Sequence, residues 1–297
     1  MRLSVIITTY NQPEQLEGVM WGYASQKGAE FDLIIADDGS SRATFDLIDR
    51  VAGETGLQVT HVWHPDNGFR KTEILNRAIV AATGEYLILS DGDCIPRDDF
   101  VATHVELCEP RTFLSGGYIK LSKEASAVIT LDDIKTGRAM TLDYLKSRGW
   151  KPGRRALRFT RSHAFGKMLD TITPTRRTWN GHNSSTWRAD IITVNGFDSD
   201  FGYGGLDRAL GERLLNLGLK GKQIRYRTPL LHLFHERPYV DIKRWKLNSE
   251  IRRRIRKNGE TRAVNGIAEL AADDSVLIRR AGESVRPRPE SAAVTAQ

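Results

Sequence analysis

Four short apolar runs, each handing over to a helical stretch or a polar turn, restrict what this chain can fold into. They are Leu3–Thr9, Phe31–Ala36, Leu57–Trp63 and Tyr86–Ser90. Tyr86–Ser90 is continuous rather than alternating, the pattern of a strand buried on both faces of a parallel sheet, and Leu3–Thr9 is of the β-branched, buried type. Helical spacing fills the gaps, at Glu14–Gln26, about Ala43–Gly53 and Lys71–Ala82. In the last of these, Ile74, Leu75, Ala78, Ile79 and Ala82 fall on one face. Pro13 suits a helix start, and Gly84 is read as a stop just past a helix end. The succession β-α-β-α-β-α-β predicts an α/β fold around a mostly parallel sheet with right-handed crossovers.

Such sheets bind ligands at the carboxyl ends of their strands. The fourth run ends there in Asp91-Gly92-Asp93. Two carboxylates are hard oxygen ligands suited to Mg2+ or Mn2+, which usually also bind substrate phosphates, and Gly92 permits a close approach. The competing reading is a solvated Asp-Gly turn. Cys94, beside the pair, is read as a buried structural thiol. With only Cys94 and Cys108 no disulfide framework is expected, which fits a reducing cytoplasm. The sequence begins directly with a strand, so no cleavable signal is expected. No apolar run approaches the roughly 20 residues that span a bilayer.

The net charge of +7 is local. Residues 135–177 hold 12 Lys/Arg against 2 Asp/Glu, and residues 243–262 hold 9 against 2, leaving 23 basic and 33 acidic residues elsewhere. These segments point to an anionic acceptor, a membrane surface or nucleic acid; solvated helix faces are the plainer reading. After the strand read over Phe113–Leu121, whose Gly116-Gly117 signals a bulge or close contact, residues 123–175 read as a helical, basic insertion. Residues 178–210 are again rich in motifs. They lead to a helix over Leu206–Leu217, a short strand over Leu230–Phe234, a basic helix from Val240 and a tail after Gly282 read as disordered.

Taken together, Val5-Ile6-Ile7-Thr8-Thr9-Tyr10-Asn11, Ala36-Asp37-Asp38-Gly39-Ser40, Asn67-Gly68-Phe69-Arg70-Lys71 with Leu75-Asn76-Arg77-Ala78, and Ser90-Asp91-Gly92-Asp93 resemble the family-two glycosyltransferases of the GT-A fold, in order and spacing. Asn195-Gly196-Phe197-Asp198, followed by Gly202-Tyr203-Gly204-Gly205-Leu206-Asp207, is similar to the galactosyltransferase-type acceptor motif, with Leu206 where that motif has Glu. The resemblance covers about residues 1–240, divided into a nucleotide-sugar half (1–122), the basic insertion (123–177) and an acceptor half (178–240). A basic helical extension (241–281) and a disordered tail (282–297) would follow.

The resemblance implies a nucleotide-sugar donor, most simply a UDP-sugar, and a Mn2+ or Mg2+ cofactor held by Asp91, Asp93 and one histidine. Thr8, Thr9 and Tyr10 are expected to line the base and ribose, with Asp37 or Asp38 contacting them. Arg70 and Lys71 would meet the diphosphate, next to Asp91 and Gly92. Asn76 would bond backbone beside the aspartate pair. Trp179, Asn180, His182, Asn183, Gly204 and Gly205 are candidates for the acceptor. Asp207 matches the catalytic base, and the helix N-terminus is expected to keep it ionised. Of His232 and His235, strand alternation allows one to be a ligand if the strand continues, and His235 fits the pattern better. The expected function is inverting transfer to a glycan or lipid-linked glycan in cell-surface polysaccharide synthesis. It would be cytoplasmic, at the inner face of the membrane through the basic segments, with no nucleic-acid partner. Two rivals differ in class. A sugar-phosphate nucleotidyltransferase needs a glycine-rich basic loop after strand one, and Thr8-Thr9-Tyr10-Asn11-Gln12-Pro13 is not one. A non-catalytic basic binding module would not need Asp91, Asp93 or Asp207. The dinucleotide fingerprint G-x-G-x-x-G is absent from the first turn.

Overall fold

A computed structural model describes residues 1–236 and 242–283. The predicted alternation is present as β1 (Leu3–Thr9), α1 (Pro13–Ala24), β2 (Asp32–Asp37), α2 (Arg42–Thr55), β3 (Val59–Trp63), α3 (Lys71–Ala81) and β4 (Tyr86–Asp91). There follow β5 (Cys94–Pro96), α4 (Phe100–Leu107), β6 (Thr112–Ser115) and β7 (Gly117–Lys120). The basic segment folds as α5 (Lys123–Ala127), α6 (Leu131–Lys135), α7 (Leu142–Ser147), a 3-10 turn over Arg154–Phe159 and α8 (His163–Ile172). The remaining elements are β8 (Ser184–Trp187), α9 (Arg188–Thr193), α10 (Leu206–Asn216), β9 (Lys220–Gln223), β10 (Pro229–His232), α11 (Ile242–Asn258) and β11 (Leu277–Arg280).

Eight strands form the main sheet in the order β11-β3-β2-β1-β4-β8-β6-β9. β3, β2, β1 and β4 run parallel, β8 is antiparallel to both neighbours, and β11 is antiparallel to β3. The alternation of side chains explains the continuous apolar runs. Val5, Ile7, Tyr86 and Ile88 enter one core with Val19, Met20 and Ile48. Ile6, Leu87 and Leu89 enter the other with Ile74, Phe197 and Leu210. Chain order reverses between β1 and β4, so the ends of these two strands open a crevice. Thr8 pairs with Asp91 there.

Three local differences from the sequence reading have physical causes. The strand expected over Phe113–Leu121 is two strands in two sheets: β6 pairs with β8 and β9, while β7 joins β10 and β5. Gly116 is the pivot, and a Cβ there would collide with the Asn183 side chain. Gly84 is not a left-handed helix stop; the capping residue is Ala82 in extended conformation. Gly84 is needed because a Cβ would come 2.9 Å from the Leu3 carbonyl carbon, and its N–H donates to Ser4 Oγ at 2.9 Å. The extension after residue 240 is helical only in part. Its end, β11, covers the β3 edge, where Arg279 Nη1 donates to Asp49 Oδ1 at 2.7 Å. The predicted disordered tail from residue 284 onward lies outside the described residues.

Candidate active site

A cavity of about 510 Å3 lies over the β1–β4 crevice. It is lined by Thr8, Thr9, Tyr10, Asp38, Lys71, Asp91, Gly92 and Asp93 from the first half of the chain. His182, Gly204, Gly205, Asp207, His232 and His235 close it from the second half. The two halves are thus far apart in sequence and joined by the sheet.

Asp91 is held at the end of β4 by Thr8 Oγ1 and Lys71 Nζ, both donating to Oδ1 at 2.7 Å. Burial would raise its pKa, but Lys71, His182 and these hydrogen bonds outweigh it and carry Asp91 below the ordinary carboxylate range. Burial pulls Lys71 the other way from its carboxylate neighbours Asp91, Asp207 and Asp93, which win and keep it charged. Gly92 tucks its N–H onto the Thr8 carbonyl at 2.7 Å, where a Cβ would sit 2.9 Å from that oxygen.

Asp93 faces both histidines. β10 ends at His232, so strand alternation no longer separates the two rings, which stack with centroids 5.4 Å apart. His235 Nε2 lies 3.2 Å, and His232 Nε2 3.9 Å, from Asp93 Oδ2. The condition under which alternation would allow one histidine only, a strand continuing past His232, is not met. Their Nδ1 atoms lie 2.8 Å from the Leu233 carbonyl oxygen and 3.0 Å from that of Glu236. A carbonyl only accepts, so each Nδ1 donates to its carbonyl and each Nε2 is the ring nitrogen turned toward Asp93. A carboxylate oxygen suits a hard ion such as Mn2+, two imidazole nitrogens add donors of the transition-metal type, and the backbone carbonyls supply the outer contacts ligating histidines use. The ligand atoms of Asp93, Cys94 and His232 also lie within 4.8 Å of one another. Cys94 is spent as a donor to Asp93 Oδ1 at 3.2 Å, and burial pushes its thiol well up, so it stays protonated.

Asp207 stands in the first turn of α10, after Gly204 and Gly205, both at positive φ. Its Oδ1 has no hydrogen-bond partner. Burial raises its pKa to about 6, against the pull of Lys71 and of the amides of Gly181 and Asp207 itself. The helix N-terminus is expected to keep Asp207 ionised; desolvation outweighs its pull and raises the pKa, yet at about 6 the group is still mostly ionised at pH 7. His182 is neutral, lowered to about 4 chiefly by burial.

Several predicted contacts belong elsewhere. Asp37 is fully buried between the Ser40 N–H (2.7 Å) and His61 Nε2 (2.9 Å), and only Asp38 reaches the cavity. Asp38 is set by His64 Nε2 at 2.8 Å and the Arg70 N–H at 3.1 Å. The Arg70 guanidinium pairs with Glu73, away from the cavity. Asn76 grips the backbone of Phe197 through both N–H and C=O at 2.8 Å, so it fixes the Asn195-Gly196-Phe197 loop, not the aspartate pair. Trp179 is wholly buried in the core. Asn183 is also buried, donating to the carbonyls of Gly117 and Thr228. Asn180 folds onto Ser115, Gly116 and the Asn183 N–H. Among the acceptor candidates, His182, Gly204 and Gly205 line this cavity, and Trp179 and Asn180 line the one that adjoins it at Asp207.

Sequence reasoning missed the rim. Phe69 and Tyr203 meet edge to face at 5.9 Å beside the expected Tyr10, whose Oη donates to Asp66 Oδ2 at 2.8 Å. Exposed aromatic residues in loops were the available signal. Asn248 of α11 was also missed. It is buried and donates to the Gly204 carbonyl at 2.6 Å, holding the glycine loop from the extension.

Residues 4–130 match the sequence model of the family described as Glycosyl transferase family 2. Over these residues the chain is similar to the family 2 glycosyltransferases. Similar to it is the hyaluronan synthase of Pasteurella multocida, 28% identical over 151 residues, which cover 46% of this chain and 15% of that protein. An uncharacterized glycosyltransferase of Bacillus subtilis, YfnE, is 31% identical over 110 residues, 37% of this chain and 27% of that one. The matches therefore span about a quarter or less of these relatives' length. Among solved structures, Staphylococcus aureus TarS 1-349 in complex with UDP-GlcNAc superposes with a TM-score of 0.55 at 13% identity, over 85% of this chain and 65% of that one. A mannosyltransferase from Pyrobaculum calidifontis, in complex with GDP-Man and Mn2+, gives 0.53 at 18% identity, over 84% and 60%. At these identities the likeness is one of fold, and the fold is GT-A.

Proposed function

We propose that this domain transfers a sugar, with inversion, from a nucleoside diphosphate donor to a glycan hydroxyl. The observation that carries the reading is the Asp207 carboxylate, whose buried Oδ1 has no hydrogen-bond partner, at the same cavity as Lys71, Asp91 and Asp93. Tyr10, Asp38 and the Phe69–Tyr203 pair form a shelf for base and ribose, and Thr8, Gly92 and Lys71 face the diphosphate. The acceptor oxygen attacks the anomeric carbon as the bond from that carbon to the diphosphate oxygen breaks. The electron pair leaves with the nucleoside diphosphate, and the acceptor proton passes to Asp207. One base opposite one leaving group inverts the anomeric configuration. Asp93, His232 and His235, beside Asp91, would hold Mn2+ or Mg2+, which when bound neutralises charge on the departing diphosphate.

A UDP-sugar is the proposed donor, and a cell-surface glycan or its lipid-linked precursor the proposed acceptor, met at the cytoplasmic face of the membrane. The residues around Asp207 and Lys71 perform chemistry a non-catalytic module would not need. The test is a screen of nucleotide sugars with Mn2+ and purified protein, following release of nucleoside diphosphate. Release from at least one donor, abolished in Asp207→Asn and by chelator, is expected. Release from none would sink the reading, as would transfer of a nucleotidyl group instead of a sugar.

A further inference from the structure

A second cavity of about 450 Å3 opens beside the first. Both are lined by His182, Gly205 and Asp207, so they meet at the candidate base. Their charges differ. The first holds Asp38, Asp91 and Asp93. In the second, Asp207 is the sole carboxylate among the lining residues, and four arginines surround it: Arg158, Arg176, Arg208 and Arg225.

None of the four is ion-paired among the described residues; the hydrogen bonds of Arg158 and Arg225 go to neutral groups. Arg158 donates to the Tyr118 carbonyl, and its buried Nε has no partner. Arg225 donates from Nη1 to Thr175 Oγ1 at 2.8 Å and from Nε to Gln223 Oε1 at 3.2 Å. Burial, then the neighbouring guanidinium groups of Arg225 and Arg155, hold Arg158 below its ordinary pKa. Like charges brought together without a counter-ion cost stability. They do not form one solvated helix face, because they come from separate segments: the 3-10 turn before α8, the loop before β8, the start of α10 and the loop after β9. Gly117 lets Arg225 approach, since a Cβ there would lie 2.9 Å from the Arg225 Cβ.

We propose that this second cavity seats a phosphoryl group of the acceptor, so that the sugar is added to a phosphate-bearing glycan or glycan precursor whose hydroxyl reaches Asp207. The inference rests on the transfer reading and narrows its substrate class. Guanidinium forks bind phosphate oxygens in pairs and supply the missing counter-charge in both directions. A polymer phosphodiester and a lipid-linked diphosphate carry the same chemistry.

The test is calorimetric binding, without donor, of a short poly(glycerol phosphate) and of octyl diphosphate to the full chain. Glycerol and an octyl glucoside serve as uncharged controls, and an octyl glucuronide as a carboxylate control. At least one phosphoryl probe should bind and the uncharged controls should not. Arg158→Gln with Arg225→Gln should weaken the phosphoryl probe about tenfold or more, the scale of lost charged hydrogen bonds. Arg176→Gln with Arg208→Gln, at exposed positions, should weaken it in a chain that keeps its fold. Lys71→Met should not, which separates this cavity from the donor crevice. Polymer binding without the diphosphate, or the reverse, identifies the source. Failure of both phosphoryl probes, tighter binding of the glucuronide, or full affinity in both double variants overturns the proposal. If the probes behave as expected but no nucleotide sugar is turned over, the phosphoryl site stands and the transfer reading falls. If transfer proceeds equally to phosphorylated and unphosphorylated acceptors, the reverse holds.

Discussion

Lys71 Nζ lies 2.7 Å from Asp91 Oδ1, and its charge also bears on Asp207 across the cavity. One ammonium group thus keeps one carboxylate ionised and lowers the proton affinity of another. Lys71→Met removes a charge that favours ionised Asp207, so the base pKa must rise. The acid limb of the pH–kcat profile, expected near pH 6 in the natural protein, should move to higher pH. An acid limb left in place by the substitution would show that Lys71 and Asp207 are not coupled.

The metal assignment predicts a graded response. Asp93→Ala, His232→Ala and His235→Ala should each lower Mn2+ affinity, by about tenfold or more, titrated through the signal of free Mn2+. The two histidines should contribute comparably, because both Nε2 atoms face Asp93. Loss in one histidine variant with none in the other would restore the single-ligand arrangement that strand alternation suggests.

The adjacent pair Asp37-Asp38 predicts a division between stability and binding. Asp37→Asn should lower Tm, by about 1–3 kcal/mol of stability, because the fully buried Asp37–His61 contact is weakened. Asp38→Asn should leave Tm closer to that of the natural chain and weaken nucleotide binding. Equal nucleotide affinities in the two variants would show that the shelf does not use Asp38.

What was legible in the sequence follows from the periods involved. β1 to β4 and the helices between them stood out because the strands are short, β-rich runs with apolar residues in both cores, set off by helical spacing between them. The choice between Asp37 and Asp38 was not legible, because it depends on where β2 stops and on His61 one strand away. Trp179 and Asn183 looked like sugar contacts by chemical type; their burial is decided by α10 and β7, packed from elsewhere in the chain. The histidine pair was half legible: the residue types were evident, but the alternation rule needed a strand that ends at His232. The Arg158–Arg225 cavity was visible only as a basic excess, since the segments that converge there are separated in sequence by two strands and three helices.

The decisive residue is Asp207. Desolvation holds its pKa at about 6 although Lys71 and two backbone amides favour the anion. The carboxylate is therefore mostly ionised at pH 7 yet more basic than an ordinary aspartate, as a general base should be. Transfer should fall as pH drops through about 6, where Asp207 takes up its proton, and level off above it. Asp207→Asn keeps the shape and removes the basicity, so kcat should fall by about 10²–10⁴-fold and the acid limb should vanish. Mn2+ and nucleoside diphosphate affinity, measured by calorimetry, should persist, because Asp93, His232, His235, Thr8 and Lys71 are unchanged. A variant within a few-fold of the natural kcat would make Asp207 a helix-terminal residue and not the base. Loss of nucleotide binding along with kcat would place it in the donor site instead.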